Sequence, residues 1–166
     1  MTSYLGERDA IMTWLLFSMI TVGAFGVYGV LLHTGIVSMA DPVNGRYKAF
    51  LFVGVAYLLT AVVGSLIMLK LNGVEWNFPA KGMMWATLAG IAGAVGAFGI
   101  LLAFGAKGTP AVVMAIVFAG APIVNAVVAM MAHPPAGGWG AVNWRFLLGI
   151  GMAALGGCLV SLYKPT

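Results

Sequence analysis

Near the start of the chain Trp14, Ser18, Thr21, Phe25 and Tyr28 recur at spacings of four, three, four and three, which places them on one face of an α-helix. Hydroxyls set between aromatic rings suit contact with an uncharged or amphipathic small molecule. Ordinary packing against neighbouring helices uses the same kind of face. A second polar feature is Asn125, inside the apolar run AVVMAIVFAGAPIVNAVVAMMA. Three residues before it, Pro122 has no N–H for the helix ladder and its ring crowds the carbonyl of Phe118, so a kink is expected there. A kink beside a polar group at mid-membrane is one way transporters build a site. A lone Asn also serves as glue between helices, worth about 1 kcal/mol. The candidate substrate-binding set is therefore Trp14, Ser18, Thr21, Tyr28 and Asn125, with Pro122 as the kink.

Other chemistries find few residues to work with. The interior of the long apolar runs holds no Asp or Glu, the group that commonly carries proton exchange in a membrane, and no Ser, His and Asp arrangement. His33 and His133 fall at the ends of two different runs, and Cys158 is the sole cysteine, so neither a metal cluster nor a disulfide framework is expected. No cofactor and no enzymatic activity are expected. The net charge of +4 comes from eight Lys and Arg placed singly along the chain, a pattern of interfacial anchors rather than of a nucleic-acid surface.

The elements that must position these residues are five charge-free apolar stretches, about 11–32, 49–69, 83–104, 111–132 and 146–162, each about as long as a helix needs to cross the hydrocarbon core. With 62% hydrophobic and 7% charged residues, the composition lies outside the soluble range of roughly 45 to 50% apolar and about 25% charged. The expected fold is an all-α integral membrane protein of five transmembrane helices, a single membrane domain over residues 1–166 with its two termini on opposite faces of the bilayer. The first run follows MTSYLGERDA without a small-residue cleavage site, and reads as a retained span rather than a signal peptide. The DPVNG segment, Asp41 to Gly45, marks a turn. Thr109 with Pro110, and Asn143, are placed to start the fourth and fifth helices.

Small residues predict the helix contacts, because close backbone approach drives association in lipid. Gly90, Gly93, Gly96 and Gly99 recur every third residue; Ala56, Thr60 and Gly64, and Gly149, Ala153, Gly157 and Ser161, recur every fourth. The last stripe suits either an oligomer face or packing within the protomer. Loop charges set orientation, and here they tie: Arg8, Lys70, Lys81 and Arg145 on the amino-terminal face against Arg46, Lys48, Lys107 and Lys164 on the other. All five tryptophans, Trp14, Trp76, Trp85, Trp139 and Trp144, sit at or near the amino-terminal face.

The order of these segments resembles one EamA-type repeat of the drug/metabolite transporter superfamily over nearly the whole chain. The resemblance is carried by Trp14 and Gly26-Val27-Tyr28 in the first span and Arg46 in NGRYKAF opening the second. Pro122 in IVFAGAPIVNAVVA and the glycine-rich LLGIGMAALGGCLVSLYKP extend it to the last two spans. Members of that family commonly carry two inverted repeats with the substrate path between them, whereas this chain carries one copy. The resemblance implies a half-sized transporter of a small organic metabolite. It would be completed by an antiparallel second copy or by a separate half-sized subunit. The similar small multidrug resistance proteins use a first-span glutamate that has no counterpart here, which argues against their drug and proton exchange. The alternative expectation is a non-transporting subunit or scaffold of a larger assembly. The expected partners are the lipid bilayer and a small-molecule substrate, with no nucleic acid. The expected location is the prokaryotic cytoplasmic membrane.

Overall fold

A computed structural model of the protein describes residues 2–163, with side chains from Ile11 onward apart from that of Trp139. Lys164 and the side chain of Arg8, both used in the charge count, lie outside this description. The described chain is helical, without strands among the described residues, and five of its helices are long and apolar enough to cross a membrane. In order they are α1 (Thr2–Ser38), a rod made of α2 (Gly45–Tyr57), a π-helical turn (Leu58–Val63) and α3 (Gly64–Leu71), then α4 (Ala80–Gly105), α5 (Pro110–Ala132) and α6 (Trp144–Leu162). The described Lys and Arg side chains beyond α1 all lie in end turns of these helices or in connections. By compactness the chain divides into two units, Met1–Gly105 and Ala106–Thr166.

In the first unit α1 packs on α2, and α4 packs on both. The core sits at one end of the three helices: Leu32 from α1, Ala49 from α2 and Ala97, Ile100, Leu101 and Phe104 from α4, with Leu101 fully enclosed. Aromatic rings fill the same end. Phe98 stacks on Tyr47 at 6.5 Å and meets Phe50 edge-on at 5.6 Å, arrangements favoured by the ring quadrupole. Away from this end the helices stand apart, and every residue of α1 from 11 to 27 and of α4 from 80 to 96 is exposed.

Three details of this unit differ from the sequence expectation. The first span continues about one and a half turns past its expected end at Leu32, because a histidine such as His33 does not stop a helix; Thr34 Oγ1 donates to the Val30 carbonyl at 2.8 Å and the helix runs on to Ser38. His33 is consequently inside α1 rather than at its end, with its ring edge-on to Phe104 at 5.5 Å. Past the helix end Asp41 shapes the turn, its Oδ1 accepting from the amides of Val43 and Asn44 at 3.0 and 2.8 Å, an Asx turn.

The second span is interrupted by the π turn, in which the Gly64 amide donates to the Leu59 carbonyl, five residues back. One extra residue in a helical ring turns everything beyond it by roughly 100° relative to an α-helix. The stripe Ala56, Thr60 and Gly64 therefore does not form a straight face. The hydroxyl of Thr60 donates instead to the Ala56 carbonyl at 2.8 Å. Beyond the π turn, α3 packs against no helix outside its own rod among the described residues.

The second unit is a hairpin of α5 and α6. Thr109 takes the N-cap position of α5 with extended backbone and Pro110 follows at the first helical position, but the Thr109 hydroxyl makes no capping bond. Asn143 does cap α6, its Oδ1 accepting from the Arg145 amide at 2.9 Å. The least exposed side of α6 carries Ile150, Ala154, Gly157 and Ser161, of which Gly157 is buried; it differs from the four-residue stripe because 3.6 residues per turn carries a strict four-residue repeat off any one face. Gly157 and Ser161 belong to both sets, while Gly149 and Ala153 are exposed. A Cβ added to Gly157 would meet the Ala119 methyl of α5 and come within 3.4 Å of the Ala115 carbonyl, so glycine is what lets the two helices approach.

Candidate functional site

The first-span residues lie along α1 as the spacing indicates, and the structure fixes how their polar groups are satisfied. Ser18 Oγ donates to the Trp14 carbonyl at 2.8 Å and Thr21 Oγ1 to the Phe17 carbonyl at 2.9 Å. Each hydroxyl therefore spends its one proton within its own helix and keeps oxygen lone pairs for a ligand N–H or O–H. All three of Trp14, Ser18 and Thr21 are exposed. Phe25 and Tyr28 meet edge-on at 6.3 Å, continuing the face toward the packed end of the unit.

Tyr28 stands apart from the other three because it is partly buried. Its Oη is enclosed and faces the hydroxyl of Tyr57. It lines a cavity of about 300 Å³ between α1 and α2, whose other walls include Leu32, Gly35, Ala49, Phe52 and Ala56. Trp14, Ser18 and Thr21 do not line this cavity.

Asn125 and Pro122 belong to the second unit, where both are exposed on α5, and the helix is continuous through Pro122. Between α5 and α6 lies an apolar groove of about 500 Å³ lined by residues that include Ile116, Gly120, Ile123, Cys158 and Ser161. Neither Asn125 nor Pro122 lines it. Ser161 contributes its hydroxyl to the Gly157 carbonyl at 2.8 Å, which leaves the groove wall almost wholly apolar.

A second polar place in the first unit, marked by no spacing in the sequence, is the cavity of about 410 Å³ at the turn between α1 and α2, lined by Ile36, Val37, Ala40, Asp41, Pro42, Arg46, Phe104 and Gly105. Ala40 closes α1 with φ of 51°, the left-handed position usually given to glycine. Arg46 reaches from the first turn of α2, with its guanidinium carbon 4.8 Å from the centre of the Tyr47 ring, and its Nε is enclosed without a hydrogen-bond partner. A Cβ on Gly105 would strike this guanidinium. Asp41 does not serve Arg46: Lys48 Nζ holds its Oδ2 at 2.7 Å, and the Lys48 hydrogen bond, with those of the Asn44 and Val43 amides, holds the carboxyl at about 2, down from the ordinary 3.8. The signal in the sequence was one acidic residue among two basic ones, Asp41, Arg46 and Lys48, which leaves one cation over.

Among the described residues no three His, Cys, Asp or Glu side chains are grouped to hold a metal ion. No protein-family model, curated protein or solved structure matches the chain.

Proposed function

We propose that this chain is one five-span half of a transporter for a small organic metabolite. It inserts into a bilayer through its five apolar helices and is completed by a second half, either an oppositely oriented copy or a separate subunit. The resemblance of its segment order to an EamA-type repeat is part of this reading. The observation that carries it is the exposed face of α1, on which Ser18 and Thr21 present satisfied hydroxyls beside Trp14 in a helix otherwise built for lipid. Such hydroxyls sit in an apolar phase at little cost and still accept hydrogen bonds, which suits an uncharged or amphipathic ligand that carries donors. With no Asp or Glu inside the apolar runs, movement is by facilitated diffusion or exchange rather than by a buried carboxylate that cycles a proton.

The test is counterflow in reconstituted vesicles. Vesicles loaded with a mixed pool of amino acids, nucleosides and sugars are assayed by mass spectrometry for protein-dependent exchange with an isotope-labelled pool outside. Ser18→Ala, Thr21→Ala and Asn125→Ala together should abolish the exchange while the protein inserts to the same level. Exchange that persists unchanged in this variant would remove the assigned site.

A second reading, a non-transporting subunit of a larger assembly, is favoured by one observation. Gly90, Gly93, Gly96 and Gly99 on α4 have open space where a Cβ would stand, a small-residue surface that winds halfway round the helix and is open to another helix. Extraction in mild detergent separates the two readings: a homodimer supports the transporter, whereas stoichiometric recovery with other subunits supports the scaffold.

A further inference from the structure

We propose that the cavity at the turn between α1 and α2 is an oxyanion site in which the Arg46 guanidinium holds a phosphate group, supplied by a lipid headgroup or by a soluble phosphate. The inference goes beyond the transport reading and does not depend on it.

Three observations converge on this cavity. An arginine always carries its charge, and Arg46 lines the cavity; its Nε is enclosed and unpaired, so an oxyanion in the cavity meets the guanidinium through its outer nitrogens. The one carboxylate lining the cavity is already taken: Asp41 Oδ1 accepts two backbone amides and Oδ2 accepts Lys48 Nζ. The three side-chain charges gathered at the turn, Asp41, Arg46 and Lys48, therefore leave one positive charge uncompensated. The space of about 410 Å³ accommodates a tetrahedral oxyanion beside the guanidinium.

The chemistry of the walls suits the same ligand. The planar guanidinium offers a fork of N–H donors that matches two oxygens of a phosphate. Ile36, Val37, Pro42 and Phe104 give it partly apolar walls, of which the Phe104 side is buried. Gly105, without a side chain, leaves the guanidinium room against the end of α4. The cavity lies where the apolar run Ile11–Ser38 ends and Gly45–Leu71 begins. On the membrane reading that is headgroup depth, the one point at which the lipid source relies on that reading.

The test uses the full chain purified in an uncharged detergent. Inorganic phosphate and, separately, short-chain phosphatidylglycerol are titrated against it, with binding read by native mass spectrometry and by protection of Arg46 from phenylglyoxal, located by peptide mapping. Saturable binding of one group per chain, with Arg46 protected and Arg145 still modified, is expected from at least one probe; which probe binds assigns the source. Arg46→Gln should weaken binding by at least about tenfold, or 1.4 kcal/mol. Arg46→Lys, which keeps the charge and loses the fork, should fall between, and Lys70→Gln should bind as the wild type does. Absence of saturable binding by both probes, unprotected Arg46, or unchanged binding by Arg46→Gln would each overturn the proposal. The wild-type measurements decide it even if the Gln variant does not fold. Failure here leaves counterflow of uncharged metabolites untouched, so the two readings fall separately.

Discussion

Alanine substitution at two adjacent glycines of α6 isolates the contact that joins α5 and α6. At Gly157 a Cβ would collide with the Ala119 methyl, which is bonded directly to the α5 backbone and has no rotamer by which to move aside. At Gly156 the added Cβ meets nothing within 4 Å. Both changes gain the same helix propensity, up to about 1 kcal/mol, so that term cancels in the difference between them. What remains is the overpacking cost, about 1–3 kcal/mol. Gly156→Ala should leave stability unchanged or raised, and Gly157→Ala should lie about 1–3 kcal/mol below it, with α5 and α6 pushed apart. Reversible unfolding in mixed micelles of rising dodecyl sulfate content measures the difference, and spin labels on exposed positions of the two helices measure the separation. If Gly157→Ala unfolds at the same point as Gly156→Ala or later, with the helix separation unchanged, the close approach at Ala119 does not hold the hairpin together.

Asp41 should titrate at about 2, below its ordinary 3.8. A depressed carboxyl stabilises the fold above its unfolded value, so the turn's contribution is present above about pH 4 and is lost as pH falls through about 2; carbon-13 NMR of the carboxyl should show this midpoint, and Lys48→Gln should move it upward. Ala40→Gly should stabilise the first unit by about 1 kcal/mol, since the residue closes α1 at positive φ, where alanine costs about 1–2 kcal/mol and glycine does not; thermal unfolding checks it, and a loss of stability would contradict the assignment. Thr60→Val removes the hydroxyl that serves the Ala56 carbonyl and should cost about 1 kcal/mol, seen as faster amide exchange from Leu59 to Gly64; unchanged exchange would show that the π turn does not lean on this bond.

The five spans were legible because a run of apolar residues free of charge is a property of composition, and composition survives without knowledge of neighbours. Asn143 was legible too, since a cap acts within its own chain segment. The end of α1 was placed at Leu32 because the apolar run was cut at His33, whereas the helix runs to Ser38 and is closed by Ala40 at positive φ. The π turn at Leu58–Val63 leaves no residue signature of its own; Thr60 serves an α-helix equally well. Counting fours marked Gly149, Ala153, Gly157 and Ser161 as an oligomer or packing face; within the hairpin only Gly157 and Ser161 lie on the less exposed side, together with Ile150 and Ala154. On the site, the face from Trp14 to Tyr28 followed from helical period alone, whereas the enclosure of Tyr28 Oη and of Arg46 Nε depends on which helices close over them, and no local pattern encodes that.

Packing at only one end gives the first unit the mechanics of a set of levers. The exposed stretch of α1 from 11 to 27 is 17 residues, about 25 Å of helix beyond its anchorage at 1.5 Å per residue. A tilt of about 5° at Leu32 displaces the far end by roughly 2 Å over that length, a shift comparable with the width of an atom. The same leverage applies to α4 beyond Ala97. The separation of Trp14 from the opposing helices is thus governed at a distance, by the fit among Leu32, Ala49 and Leu101, and a methyl group gained or lost there is read out magnified where no substitution was made.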